Sequence, residues 1–154
     1  MVPGGNRNKG HDAEREIVKL LDPVVSAILG EKTLHRNLQQ TRQGGHDVAG
    51  LDFLALEVKR CETLEIEKWW VQTLRQAAAL GADAHPVLMY RQNRTKWTVV
   101  MWGMVGQVKM RVSISLDGFA MWLTRELENR VRSGQIHARW GFGEELVGKA
   151  GESG

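Results

Sequence analysis

Asp47-Val-Ala-Gly-Leu-Asp-Phe-Leu-Ala-Leu-Glu-Val-Lys59 decides how this chain is read. Gly50, Leu51 and Asp52 form a turn signal between a short segment at 46–49 and an apolar run at 53–60, which together predict a β-hairpin. Alternation along the second arm sends Leu54, Leu56 and Val58 to one face and Phe53, Ala55, Glu57 and Lys59 to the other. A Glu-x-Lys inside an apolar strand with an acid across the turn is costly unless something binds there.

Magnesium takes hard oxygen ligands, keeps several waters, and is held on DNA enzymes by two or three carboxylates plus the substrate phosphate. Glu57 supplies one carboxylate, Asp47 lies opposite or diagonal to it across the hairpin, and the Val58 backbone carbonyl offers a further ligand at the sheet edge. Lys59 is placed either to orient and deprotonate a water or to offset charge on the phosphate. Glu14 lies on a helical stripe with Ile17, Val18 and Leu21, where it either leans over the sheet as an outer ligand or serves as a first-turn acid on the helix dipole.

Working outward, Ala13, Ile17, Leu20, Leu21 and Val24 recur at helical spacing from about Gly10. Asp22-Pro23 either caps and restarts a second short helix through Leu29 or kinks a single one, with Gly30 as the stop. A polar, basic strand is expected at 33–41, a helix at 65–80 with Ile66, Trp69, Trp70, Leu74, Ala77 and Ala78 on its buried side, and strands at 86–90 and 97–102. A short strand at 108–115 and a helix at 116–132 follow. Helices and strands in this order predict an α/β architecture, a central mixed sheet flanked by helices. Residues 1–8 read as a flexible basic arm, 9–140 as a single domain, and 141–154 as a loose tail.

The bulk properties allow this and exclude other classes. A chain of 154 residues, 42% hydrophobic and 25% charged, has the make-up of a soluble globular domain rather than a disordered or fibrous one. No stretch has the length of a membrane span and no secretory signal opens the chain, so a cytoplasmic protein is expected. Cys61 stands alone, so neither an internal disulfide nor a thiolate zinc site can form, and it reads as an inert residue at a strand end. The formal charge of +3 permits a nucleic-acid partner without demanding one.

At this point Asp47 followed by Glu57-Val58-Lys59 resembles the PD-(D/E)XK nuclease motif, and Lys9-Gly10 through Ala13-Glu14-Arg15-Glu16 resembles the first helix of archaeal-type Holliday junction resolvases. The resemblance spans about residues 9–90 and implies a restriction-endonuclease-like core. It also implies a magnesium site, with manganese as a substitute, built from Glu14, Asp47, Glu57 and the Val58 carbonyl, with Lys59 as the fourth catalytic side chain. His46 stands where many relatives have Pro, and Gly44-Gly45 where the resolvases tend to carry Ser, a change expected to bear on substrate preference.

Lys9, Arg15, Arg36, Arg42 and Arg60 are the candidate DNA-binding residues, joined by Arg7 and Lys19, and the alternative for each is a solvated basic face. His46 and Gln72 are candidate supporting residues, while Asp52 reads as a turn residue and Arg91, Arg94 and Lys96 as exposed. Trp69 and Trp70 either stack on splayed bases or belong to the core or a dimer contact. The first functional expectation is a magnesium-dependent endonuclease, a homodimeric resolvase acting on four-way or other branched DNA. The alternatives are a restriction-type or repair nuclease on linear or single-stranded DNA, and a DNA-binding module that has lost catalysis.

Overall fold

The computed structural model describes residues 5–38 and 46–139. The predicted tail at 141–154 and Arg42, Gly44 and Gly45 lie outside them. The chain runs α1 (Gly5–Leu29), β1 (His35–Arg36), β2 (Val48–Ala49), β3 (Leu54–Arg60), α2 (Ile66–Leu80), β4 (His85–Arg91), β5 (Thr98–Val105), β6 (Val108–Ser115) and α3 (Leu116–Arg132). The six strands form one sheet in sequence order, with β3 and β4 parallel across the α2 crossover and every other pair antiparallel. This is the mixed α/β architecture that the sequence predicts.

The two faces are packed differently. Ala13, Ile17, Leu21, Val25 and Ile28 of α1 join Phe119, Leu123, Leu127 and Val131 of α3 over Leu54, Leu56, Val58, Val87 and Met89. The other face packs Trp69 and Trp70 of α2 on Leu88 and Val100. Both tryptophans are buried, Trp69 against Tyr90 and Trp70 edge-on to Trp102, so they belong to the protomer core and stack on no base. On α2 the buried residues are Trp69, Trp70, Thr73, Gln76 and Ala77, whereas Ala78 is exposed.

Two local expectations change. Helix α1 begins at Gly5, so the second half of the predicted arm is helical, an extension that costs little once the buried stripe has nucleated the helix. It also runs through Pro23 without a restart. Asp22 is no N-cap: its carboxylate accepts from the Thr33 and Leu34 backbone N–H groups, both at 3.1 Å, and from the Ser26 hydroxyl. These bonds pin the chain returning from α1 toward β1. No helix among the described residues is long and apolar enough to cross a membrane.

The turn that sets the hairpin depends on Gly50, whose φ is +124°, and a Cβ there would stand 2.2 Å from the Thr33 carbonyl oxygen. Gly106, with φ +62°, has open space around it. Gly50→Ala is therefore expected to cost about 2 kcal/mol or more, while Gly106→Asn stays within about 1 kcal/mol, measured by chemical denaturation. Equal losses at the two positions would contradict the steric account.

Candidate active site

The site is built where β2 ends beside β3. Val48 pairs with Leu56, and one step earlier the Asp47 N–H donates to the Leu56 carbonyl at 2.9 Å. Past that point β2 no longer covers β3, and the Val58 N–H donates instead to Asp47 Oδ2 at 2.7 Å. The carbonyl of a strand residue faces the same side as its N–H, so the Val58 carbonyl opens onto the same gap. Just past β1 the Asn37 N–H donates to the Asp47 carbonyl at 2.9 Å, which fixes the acid from its other side.

Glu57, in the middle of β3, is fully buried. Its counter-charge among the described residues is Lys59, two residues on and on the same face, with Nζ 2.7 Å from Oε1. Apart from Lys59, neither Glu57 oxygen has a donor among the described residues. A buried carboxylate so poorly solvated is expensive unless a further positive charge arrives.

The electrostatics of Asp47 carry the same message. Burial, followed by the neighbouring charge of Glu57, pushes its carboxyl up to about 7, with Glu14 adding to the rise and the Val58 N–H and Lys59 opposing it. Burial pulls the Lys59 ammonium down, but Glu57 and Asp47 outweigh it and hold its pKa above the ordinary value. Lys59 is thus kept protonated, which suits charge offset at a phosphate and not proton abstraction. His46 is pulled below its ordinary value by burial, against the charges of Glu57 and Asp52, so its ring is neutral near pH 7.

Asp47, Glu57 and Lys59 come together as the spacing predicts, and Glu14 is close enough to act on Asp47 by its charge. Glu14 is itself buried and held by Arg36, whose Nε donates to Oε2 at 2.8 Å. Among the described residues no three His, Cys, Asp or Glu side chains form a group that could hold a metal ion. Two buried carboxylates and a backbone carbonyl nevertheless fit a hard, partly hydrated divalent cation.

The candidate DNA-binding residues separate. Lys9 is exposed, Arg15 is exposed beside Asp12, and Arg36 is half-buried on Glu14. Arg15, Lys19, Lys32, His35 and Arg36 line a groove of about 680 Å³ between α1 and β1. Arg60 is half-buried in register with Arg91 on β4, and its Nε has no partner. Arg91 is not exposed as expected: its guanidinium donates to Glu16 at 2.9 Å and lies over the Trp97 ring, whereas Arg94 and Lys96 are exposed. Gln72 is half-buried, and the glutamine that α2 buries is Gln76, whose Oε1 lacks a donor. Its place seven residues after Trp69, on the same stripe, was the available signal. A cavity of about 1300 Å³ around His85, Trp102 and Trp122 opens at the other end of β4, and among the described residues its lining has a single carboxylate, Asp83.

A carboxyl group with a raised pKa costs the folded state stability as pH rises toward and through that pKa, and costs nothing below its unfolded value near 4. Asp47→Asn, which keeps an acceptor for the Val58 N–H, should raise the melting temperature of the metal-free protein by about 5 °C at pH 8 and leave it unchanged near pH 4. Magnesium should raise the wild-type melting temperature at pH 8 and not that of the variant. A variant that melts at or below wild type at pH 8 would contradict the charge-repulsion account.

Neither the curated proteins nor the solved structures contain a match to this chain. One family model does match, over residues 5–131, and its description is "Phage putative PDDEXK endonuclease". The matched region begins with α1, takes in Asp47, Glu57 and Lys59, and ends within α3. The chain therefore belongs to this phage PDDEXK endonuclease family.

Proposed function

We propose that this endonuclease is magnesium-dependent and selective for branched DNA, resolving four-way junctions as a homodimer in the cytoplasm. The observation that carries the metal reading is the pair of buried carboxylates, Asp47 and Glu57, with the Lys59 ammonium beside Glu57. These two side chains would hold the cation, with the Val58 carbonyl beside them and manganese able to substitute. When bound, the cation supplies Lewis-acid stabilisation of charge on the reacting phosphate.

The protein's own residues do the rest. Lys59, kept protonated by Glu57 and Asp47, presents its ammonium to the phosphate oxygen that gains charge in hydrolysis. His46, neutral and half-buried, can accept a proton or hydrogen bond from a water near Glu57. Arg15, Lys19 and Lys32 give the α1–β1 groove the positive charge to follow a phosphodiester backbone.

Junction selectivity rests on the likeness of the first helix and the Glu-x-Lys hairpin to resolvases, and a two-fold dimer would suit paired nicks. Since Trp69 and Trp70 are buried within the protomer, the apolar surface free for such a dimer includes Met104, Val105 and Val108 at the β5–β6 turn. Glu57→Ala and Asp47→Ala should each lower magnesium-dependent cleavage by about 10³-fold or more with junction binding retained, read from single-turnover cleavage and anisotropy. In a panel of four-way junction, flap, duplex and single strand at equal concentration, the junction should be cut fastest. Preferred cutting of linear duplex or single strand would favour the restriction-type or repair reading. Magnesium-independent binding with no turnover on any substrate would leave only a binding module.

A further inference from the structure

We propose that Arg36 is an exchangeable counter-ion, which neutralises Glu14 until a divalent cation binds and then turns to a substrate phosphate. This rests on the metal-dependent reading of the site. Glu14 is buried, and the one side chain that bonds its carboxylate is Arg36, through Nε at 2.8 Å. The antiparallel pairing of Arg36 with Val48 places this arginine one residue from Asp47 in register. Around the gap, Glu14 pairs with Arg36 and Glu57 with Lys59, and the charges of Glu14 and Glu57 both reach Asp47. Arg36 therefore supplies charge that a bound cation would otherwise supply.

Arg36 has a second environment as well. It lines the α1–β1 groove with Arg15, Lys19, Lys32 and His35, and the groove's one acid, Asp22, is already occupied by the Thr33 and Leu34 N–H groups and the Ser26 hydroxyl. The bond to Glu14 uses Nε alone, so the terminal nitrogens of the guanidinium keep their donors for a phosphate. A cation that attracts Glu14 releases Arg36 to the groove, and a phosphate that attracts Arg36 releases Glu14 to the cation. Linkage then requires each ligand to tighten the other by the same factor.

The test uses the full chain, with magnesium binding measured by calorimetry and binding of a labelled duplex oligonucleotide by anisotropy, calcium replacing magnesium in the second assay. Arg36→Gln should bind magnesium about tenfold more tightly than wild type, because one positive charge has left the gap. Its melting temperature should also rise more on adding magnesium than that of wild type. In a Glu14→Gln background the same substitution should have a much smaller effect, as a double-mutant cycle reads coupled residues. Calcium should tighten the oligonucleotide about tenfold in wild type, and this gain should be absent in Arg36→Gln. Arg36→Lys, which keeps the charge and loses the fork, should keep wild-type magnesium affinity and lose most of that gain, and it serves if the glutamine variant fails to fold. Magnesium affinity unchanged by Arg36→Gln, or oligonucleotide affinity indifferent to the cation in wild type, overturns the inference. Absence of any divalent-cation binding by wild type overturns the metal reading itself, and the inference with it.

Discussion

The structure depends on a conflict: Asp47 and Glu57 are buried side by side, and the Lys59 ammonium lies 2.7 Å from Glu57. Burying a carboxylate costs several kcal/mol, and a second beside it costs more. A protein selected for stability alone would place apolar residues here, as it does at Leu54, Ala55 and Leu56 on the same strand. The large two-faced core bears this cost, with α1 and α3 on one side of the sheet and α2 on the other. Binding a cation would turn the same repulsion into attraction, so the instability of the free site is a measure of its affinity.

Much of this was legible in the sequence because the relevant signals are local. Strand β3 shows strict alternation, so the side chains of Glu57 and Lys59 were assigned to a common face before any fold was known. The helices were legible through their apolar spacing, and the hairpin through Gly50, whose conformation no other residue adopts easily. Asp47 could be placed opposite Glu57 because a short hairpin leaves little freedom of register.

What escaped the sequence depends on partners far apart in the chain. Glu14 reads either as an outer ligand or as a first-turn acid on the helix dipole, and only the fold shows Arg36, 22 residues away, on its carboxylate. Arg91 looked like part of an exposed turn, yet Glu16, 75 positions earlier, holds it. Asp22 before Pro23 carries a strong local capping signal, which three bonds to the chain around Ser26 and Leu34 override. Gln76 was passed over for Gln72 because a polar residue on a helix reads as surface until its helix is docked. Charged and polar side chains find partners through tertiary structure, and periodicity records only the apolar ones.

The Asp47 bond to the Val58 N–H has one more consequence, for how this hairpin can vary among relatives. Side chains alternate along a strand, so inserting or deleting one residue between Asp47 and Glu57 would turn one carboxylate into the α1 core. Changes in length by two residues would keep both acids on one face, although they would shift them along the ladder. The turn can therefore change its composition freely around Gly50 while its length is held to one parity. That rule follows from backbone geometry alone and would hold for any chain that builds its cation site on two such strands.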